Sequence, residues 1–300
     1  MPKTSSKLFI IIAFIAVYII WGSTYLLNKI AVTQLGPFFL ASIRFSTSGI
    51  LILGIAKLLK LKLTISKKEL LNTIFVGFLF LVYGNCICVT ALKYVDSGFA
   101  ALIASTQPLF VLLLMRIIHN KKIHTKSIIG IALGIIGMFL LVYQQKTNST
   151  NNSILGITMI LSCVLVWSFA SVYVKNAKLP KSYFVSSGYQ MLFASIMQLF
   201  VSYVLNENWL KPIYWKINVI WSMLLLIVFG SIVAFTAFNY LLKEVSTEKV
   251  ATSAFVNPIV ALILGWYILD EKLNTQSIIA SIILLTGVYF ITSKKSKNIK

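Results

Sequence analysis

The sequence predicts an all-α integral membrane protein with ten transmembrane helices in two inverted five-helix repeats. Three observations lead there. Of the 300 residues, 58% are hydrophobic and 11% charged, whereas a soluble domain carries about 25% charged residues. The apolar residues gather in runs of about 18 to 24, the length that crosses a hydrocarbon core of about 30 Å. Residues 92–137 are echoed by residues 242–287 at a constant offset of 150.

The elements follow in order. Span one (8–27) comes after Lys3 and Lys7 with no small-x-small cleavage site behind it, so it reads as a retained span rather than a removed leader. It runs into WGSTYLLNKI (21–30), where rings, small residues and hydrogen-bonding groups replace the expected charge or turn. Span two (38–58) holds Arg44, the one strong charge inside a span. Span three (70–91) holds Tyr83, Asn85, Cys86 and Cys88. The two cysteines point apart on a helix and, like Cys163, read as small buried hydrophobes.

Span four (97–118) contains TQP (106–108), and span five (127–143) carries Gly130, Gly134 and Gly137 near one face. That stripe suits tight helix packing or a dimer contact, so a monomer and a homodimer both stay open. The polar run QQKTNSTNNS (144–153) divides the chain into a first repeat (1–146), a linker (147–153) and a second repeat (154–300). Spans six (154–174), seven (183–205), eight (219–241), nine (249–269, with VNP at 256–258) and ten (276–292) follow on short connections, leaving no room for a soluble domain. Trp209, Trp215 and Trp221, around one loop, read as an interfacial belt.

The net charge of +20 would suggest nucleic acid in a soluble protein. Here the basic residues lie between apolar runs, so no nucleic-acid partner is expected and membrane lipid is. Sorted by loop parity, 20 fall on the side of both termini and 6 on the other, which leaves Arg44 within a span. That bias places both termini in the cytoplasm of a multi-pass protein of the inner cell membrane.

Within the repeat, Leu92/Leu242, Lys93/Lys243, Pro108/Pro258, Lys122/Lys272 and Gly137/Gly287 coincide, and Trp21/Trp167 with Lys29/Lys175 match at an offset of 146. Greasy helices share Leu and Ile by chance, but prolines, lysines and tryptophans coincide less cheaply. Five spans per half force the second half to enter from the opposite face. Inverted repeats of this kind build secondary transporters with a site near the midplane.

Paired helix breaks point to such a site. Pro108 and Pro258 each free the carbonyl four residues earlier, and Gln107 and Asn257 stand beside them. These four read as cavity lining and gating, or alternatively as packing kinks with amides bonding between helices. Gly22 joins the gating set, since small residues let a neighbouring helix approach. Trp21, Ser23, Tyr25, Tyr83, Asn85, Trp167 and Asn239 complete the candidate substrate contacts, because rings give contact area and amides orientation. Arg44 would attract a carboxylate or phosphate, or else snorkel to the interface.

The seven acidic residues lie in loops or at span ends, and the two histidines, His119 and His124, share one cytoplasmic loop. No buried proton relay, catalytic residue, metal site or cofactor site is therefore expected. The partner is a small neutral, zwitterionic or anionic solute moved by a facilitator, exchanger or weakly coupled carrier.

IIWGSTYLLNKIA, ASIRFSTSGILIL, ALKYVDSGFAALIASTQPLFVLLL and NPIVALILGWYILDEKLNTQSIIASIILLTGVYF together resemble EamA-type permeases of the drug/metabolite transporter superfamily, over nearly the whole chain. The resemblance implies ten helices in inverted repeats and export or exchange of amino acids and other metabolites. It maps the family's tryptophan-glycine motif to Trp21 and Gly22, its span-two arginine to Arg44 and its late acidic residue to Glu271. Lys121 stands where the first half should carry the matching acid, and Gln190 where the second should carry the matching arginine.

Two rivals remain beside the amino-acid carrier. One is a carrier of a larger cofactor-like metabolite such as S-adenosylmethionine. The other is a membrane-embedded lipid-modifying enzyme, for which only His119 and His124 offer chemistry.

Overall fold

The computed structural model describes residues 7–120, 125–148, 152–251, 253–271 and 275–292, and every regular element among them is helical. Among the described residues, seven helices are long and apolar enough to cross a membrane. They are α1 (Lys7–Ala31), α2 (Pro37–Leu58), α3 (Lys67–Ala91), α4 (Ser97–His119), α6 (Asn152–Val174), α7 (Tyr183–Val204) and α8 (Ile217–Glu244). Shorter apolar stretches, Ile128–Gly137, Val256–Leu269 and Ile278–Gly287, lie within α5 (Thr125–Asn148), α9 (Ser253–Leu269) and α10 (Thr275–Thr292). Large apolar side chains such as Phe9, Ile50, Ile135, Phe200 and Ile282 stay exposed on outer faces, as lipid contact requires. The chain is a multi-pass membrane protein.

Local chemistry sets the helix ends. Ser66 and Glu69 form a reciprocal capping box at the start of α3, and Pro37 opens α2 at a position where its missing N–H costs nothing. Lys60, Asn120, Asn206 and Asp270 take left-handed backbone, with φ of 55°, 49°, 52° and 54°. They stop α2, the second piece of α4, α7 and α9, which is the common way for a helix to end. At two of these stops the next residue is a glutamate that reaches across the bundle. Glu207 accepts from the N–H groups of Phe38 (3.2 Å) and Phe39 (2.8 Å) at the start of α2. Glu271 accepts from Ser97 N (2.8 Å), Ser97 Oγ (2.7 Å) and Gly98 N (3.1 Å) at the start of α4. Each carboxylate thus satisfies orphan donors and the positive end of a helix dipole.

In lipid the helices are held by close packing and interhelical hydrogen bonds rather than by hydrophobic burial. α2 packs along α7, and α5 along α10, while α1 lies against α8 and α9 at the centre. The glycine stripe of α5 is used internally. A Cβ on Gly287 of α10 would stand 2.7 Å from Gly130 O and 2.9 Å from Gly134 N, so the face proposed above as a possible dimer contact is filled by α10.

Two features depart from the sequence expectations. α3 and α8 each contain an eight-residue π-helical stretch, Phe78–Asn85 and Leu226–Val233, which periodicity does not reveal. The helix breaks also differ between halves. α4 is interrupted after Ala104 and restarts at Gln107, with Pro108 in its new first turn. Pro258 instead lies inside α9, and the interruption falls earlier, between a single turn Thr247–Val250 and Ser253. Proline is tolerated within α9 because neighbouring helices can re-satisfy the freed backbone. Pro258 therefore does not break the helix as expected.

Candidate functional site

A cavity of about 120 Å³ lies at the centre of the bundle. α1 gives it one stripe, Trp21, Thr24, Tyr25 and Asn28, spaced i, i+3, i+4, i+7 as a single helix face must be. α2 gives Arg44, the π-helical part of α3 gives Asn85, and α6 gives Trp167. Gln107 comes from the restart of α4 and Asn257 from α9. Helices from both sides of the polar linker thus meet on one space.

Aromatic packing forms one wall. The rings of Trp21 and Trp167 meet edge to face at 5.5 Å, and Phe238 packs against both, at 4.7 Å and 5.7 Å. Phe80 closes on Trp167 at 4.8 Å. Edge-to-face pairs add about 0.5–1.5 kcal/mol beyond their burial, so this wall is stiff. Trp21 Nε1 donates to Gly230 O at 3.2 Å, across to the π-helical part of α8. Gly22 lies behind the wall, where a Cβ would come within 2.6 Å of Val260 Cβ. Its place is a close crossing of α1 and α9 and not the cavity surface.

The polar groups divide into those already satisfied and those not. Asn257, with its amide nitrogen turned toward two carbonyls, donates to Tyr18 O (2.8 Å) and Ser253 O (3.1 Å). Ser168 Oγ reaches Val164 O (2.7 Å) and, more weakly, Gln107 O (3.4 Å). Arg44 Nε donates to Ser231 Oγ at 2.7 Å, and its guanidinium stands 4.7 Å from the Phe45 ring centroid. Arg44 Nη1, Asn28 Oδ1 and Asn85 Oδ1 are buried with no hydrogen-bond partner among the described residues. Arg44 is 3% exposed, so it does not snorkel to the interface.

Seven of the ten expected contacts line the cavity: Trp21, Tyr25, Arg44, Asn85, Gln107, Trp167 and Asn257. Three do not. Ser23 turns back to Ile20 O at 2.7 Å, one helical position away from the lining residue Thr24. Tyr83 falls in the π-helical stretch, whose different period presents Leu81, Gly84 and Asn85 instead. Asn239 is bound between α8 and α7, donating to Ser187 Oγ (3.0 Å) and Phe235 O (3.2 Å). Gln190, the residue aligned with Arg44, lies in that same layer and donates to Ser186 Oγ at 3.0 Å. The unexpected lining groups include Thr24, Asn28, Ser253 and two thiols, Cys88 and Cys163, which are more than the inert hydrophobes anticipated. His119 is exposed at the end of α4, and His124 and Lys121 lie outside the described residues.

Charged contacts tie the helix ends around this centre. Lys29 Nζ donates to Leu92 O (2.6 Å) and Val95 O (2.8 Å) at the end of α3. Lys175 Nζ reaches carbonyls at the end of α8, Val245 O (3.1 Å), the counterpart of Val95 O, and Lys243 O (3.5 Å). Asp96 sits beside Lys29 and Glu271. Although its side chain keeps contact with solvent, partial desolvation by the neighbouring protein, then the Glu271 carboxylate, raise its pKa above the ordinary aspartate value against the pull of Lys29.

Known proteins match over nearly the whole chain. The profile of the EamA-like transporter family matches residues 8–143 and again residues 154–293. An uncharacterized inner membrane transporter of Escherichia coli K12, YedA, is 32% identical over 94% of this chain and 90% of its own length. A probable amino-acid metabolite efflux pump of the same strain is 23% identical, covering 91% of each chain. PagO of Salmonella typhimurium LT2 is 23% identical over 94% of this chain and 92% of its own. One crystal structure aligns with 96% of this chain and 99% of its own at a TM-score of 0.72 and 18% identity, which shows a shared fold.

Proposed function

This chain belongs to the EamA-like transporter family, and from that premise we propose that it is an alternating-access carrier of small metabolites across the cytoplasmic membrane. The observation that carries the proposal is the central cavity, which helices from before and after the polar linker build together. Its aromatic wall and scattered amides suit a small organic solute held by ring contact and oriented by few polar groups. Amino acids and related zwitterionic or neutral solutes fit best, moved outward or by exchange. The efflux activity named for one relative supports that direction.

The carrier has ten spans, the seven long helices plus the apolar parts of α5, α9 and α10. It is two five-helix repeats, 1–146 and 154–300, inserted in opposite senses. Four pairings support the inversion: the two stretches matched by one family profile, the two π-helical stretches, the two lysine-to-carbonyl contacts and the meeting of Trp21 with Trp167. Both termini face the cytoplasm, on the side rich in lysine. Alternating access then follows from one half rocking against the other around the cavity.

The test is efflux from proteoliposomes loaded with an isotope-labelled amino-acid mixture. Purified protein should release a subset of the mixture at a saturable rate, and Trp21→Ala should abolish that release. Equal leakage from protein-free vesicles would end the carrier proposal.

A further inference from the structure

Arg44 brings a formal positive charge into the bundle centre, and the chain supplies no anion to meet it. None of the seven acidic residues of the sequence lines the cavity. The guanidinium is held by one neutral hydroxyl and one ring, while Nη1 stays buried without a partner among the described residues. A charge taken out of water and left uncompensated weighs heavily against a fold. An ionisable side chain at membrane depth normally marks a ligand or ion path.

The remaining unmatched groups have the opposite character. Asn28 commits its amide nitrogen to Thr24 O at 2.7 Å, which leaves Oδ1 as a free acceptor, and Asn85 Oδ1 is free as well. The cavity therefore has one cationic donor pole, two acceptor oxygens, and the Trp21 and Trp167 side chains lining the same space. With one guanidinium and no lysine in the lining, it can neutralise a single negative charge. A phosphate dianion or a dicarboxylate would enter with a charge unmatched.

Building on the carrier proposal, we propose that the counter-ion of Arg44 is the carboxylate of the transported solute, a small amino-monocarboxylate whose amine end is taken by the carbonyl oxygens of Asn28 and Asn85. A guanidinium binds a carboxylate through two parallel N–H groups. Only part of that fork is used by Ser231, through Nε. Discrimination then comes from the pairing itself, since an analogue without the carboxylate leaves a buried charge unpaired.

Thermal stabilisation of the purified full-length protein tests this with four probes of one shape: leucine, leucinamide, isoamylamine and 4-methylpentanoate. Leucine should stabilise most, 4-methylpentanoate less, and the two probes without a carboxylate should bind about tenfold more weakly or not at all. In Arg44→Gln the preference for leucine over leucinamide should disappear. Should that variant fail to fold, Asn85→Asp leaves Arg44 in place and adds an anion opposite it. That variant should gain affinity for isoamylamine and lose it for 4-methylpentanoate. Equal stabilisation by leucine and leucinamide, an unaltered preference in Arg44→Gln, or no response to any carboxylate probe would overturn the proposal. Efflux of the labelled mixture is read separately. A protein that passes solutes yet ignores their carboxylate keeps the carrier proposal and loses only this one.

Discussion

Removing the Glu271 carboxylate should destabilise the fold more than removing any surface charge. Three donors converge on it, Ser97 N, Ser97 Oγ and Gly98 N, and Ser97 is 0% exposed. In Glu271→Ala the two backbone N–H groups at the start of α4 lose their acceptor. Each orphaned donor costs about 1–3 kcal/mol. Loss of a negative charge at a helix N-terminus adds about 0.3–1 kcal/mol. Water entering at the end of the bundle offsets part of this, so the expected loss is about 3 kcal/mol, within the range for breaking a buried hydrogen-bond network. Glu271→Gln keeps one acceptor oxygen but turns an NH₂ group toward the donors, and should lose about half as much. Unfolding in mixed micelles of increasing SDS content, followed by tryptophan fluorescence, measures both. An alanine variant within about 0.5 kcal/mol of the parent, the range of an ordinary surface change, would refute the capping role.

Three further outcomes are expected. Asp96→Asn should stabilise the protein at neutral pH. A carboxyl whose folded-state pKa is raised loses stability as pH climbs from its unfolded value, about 3.9, through its folded one. The gain in the variant should therefore shrink toward zero below that window, as SDS unfolding across pH will show. Gly287→Ala, which would drive a Cβ to 2.7 Å from Gly130 O, should cost about 1–3 kcal/mol by overpacking the seam between α5 and α10, measurable in the same micelle titration. Of the two cysteines that line the cavity, Cys88 is partly exposed while Cys163 is buried, as is Cys86. Methyl methanethiosulfonate should modify Cys88 first by intact mass, well ahead of the buried Cys86 and Cys163.

Hydropathy made most of the helices legible, because lipid demands long apolar runs whatever the packing. The cavity was legible where chemistry and helix face coincide. Trp21 and Tyr25 sit four apart, and the same stripe extended by three and seven residues reaches Thr24 and Asn28, so helical spacing alone marks all four. Ser23 failed because adjacent residues on a helix point about 100° apart, so a chemically apt neighbour can face the wrong way. Tyr83 failed for a different reason: the π-helical turn around it has no marker in residue type. Asn239 shows that a buried amide cannot be sorted from sequence into ligand contact or interhelical tie. Glu207 carried no signal, since its partners, Phe38 and Phe39, lie 169 and 168 residues away and offer only backbone.

The two π-helical stretches bear on how chain length relates to shape. Such a stretch is an α-helix with a surplus residue folded in, so excising that residue would leave everything downstream facing as before. What would be lost is access to the backbone. Within the first stretch Leu81 O accepts Gln198 Nε2 at 2.8 Å, and within the second Ile227 O accepts Ser48 Oγ at 3.2 Å. A helix shortened by one residue would draw those carbonyls back into its own ladder, stranding Gln198 Nε2 and leaving Ser48 Oγ only its bond to Arg44 O at 2.7 Å within α2. The surplus residue is thus a coupling between helices, written as a change in length rather than in side chain, and a sequence comparison would register it only as a one-residue gap.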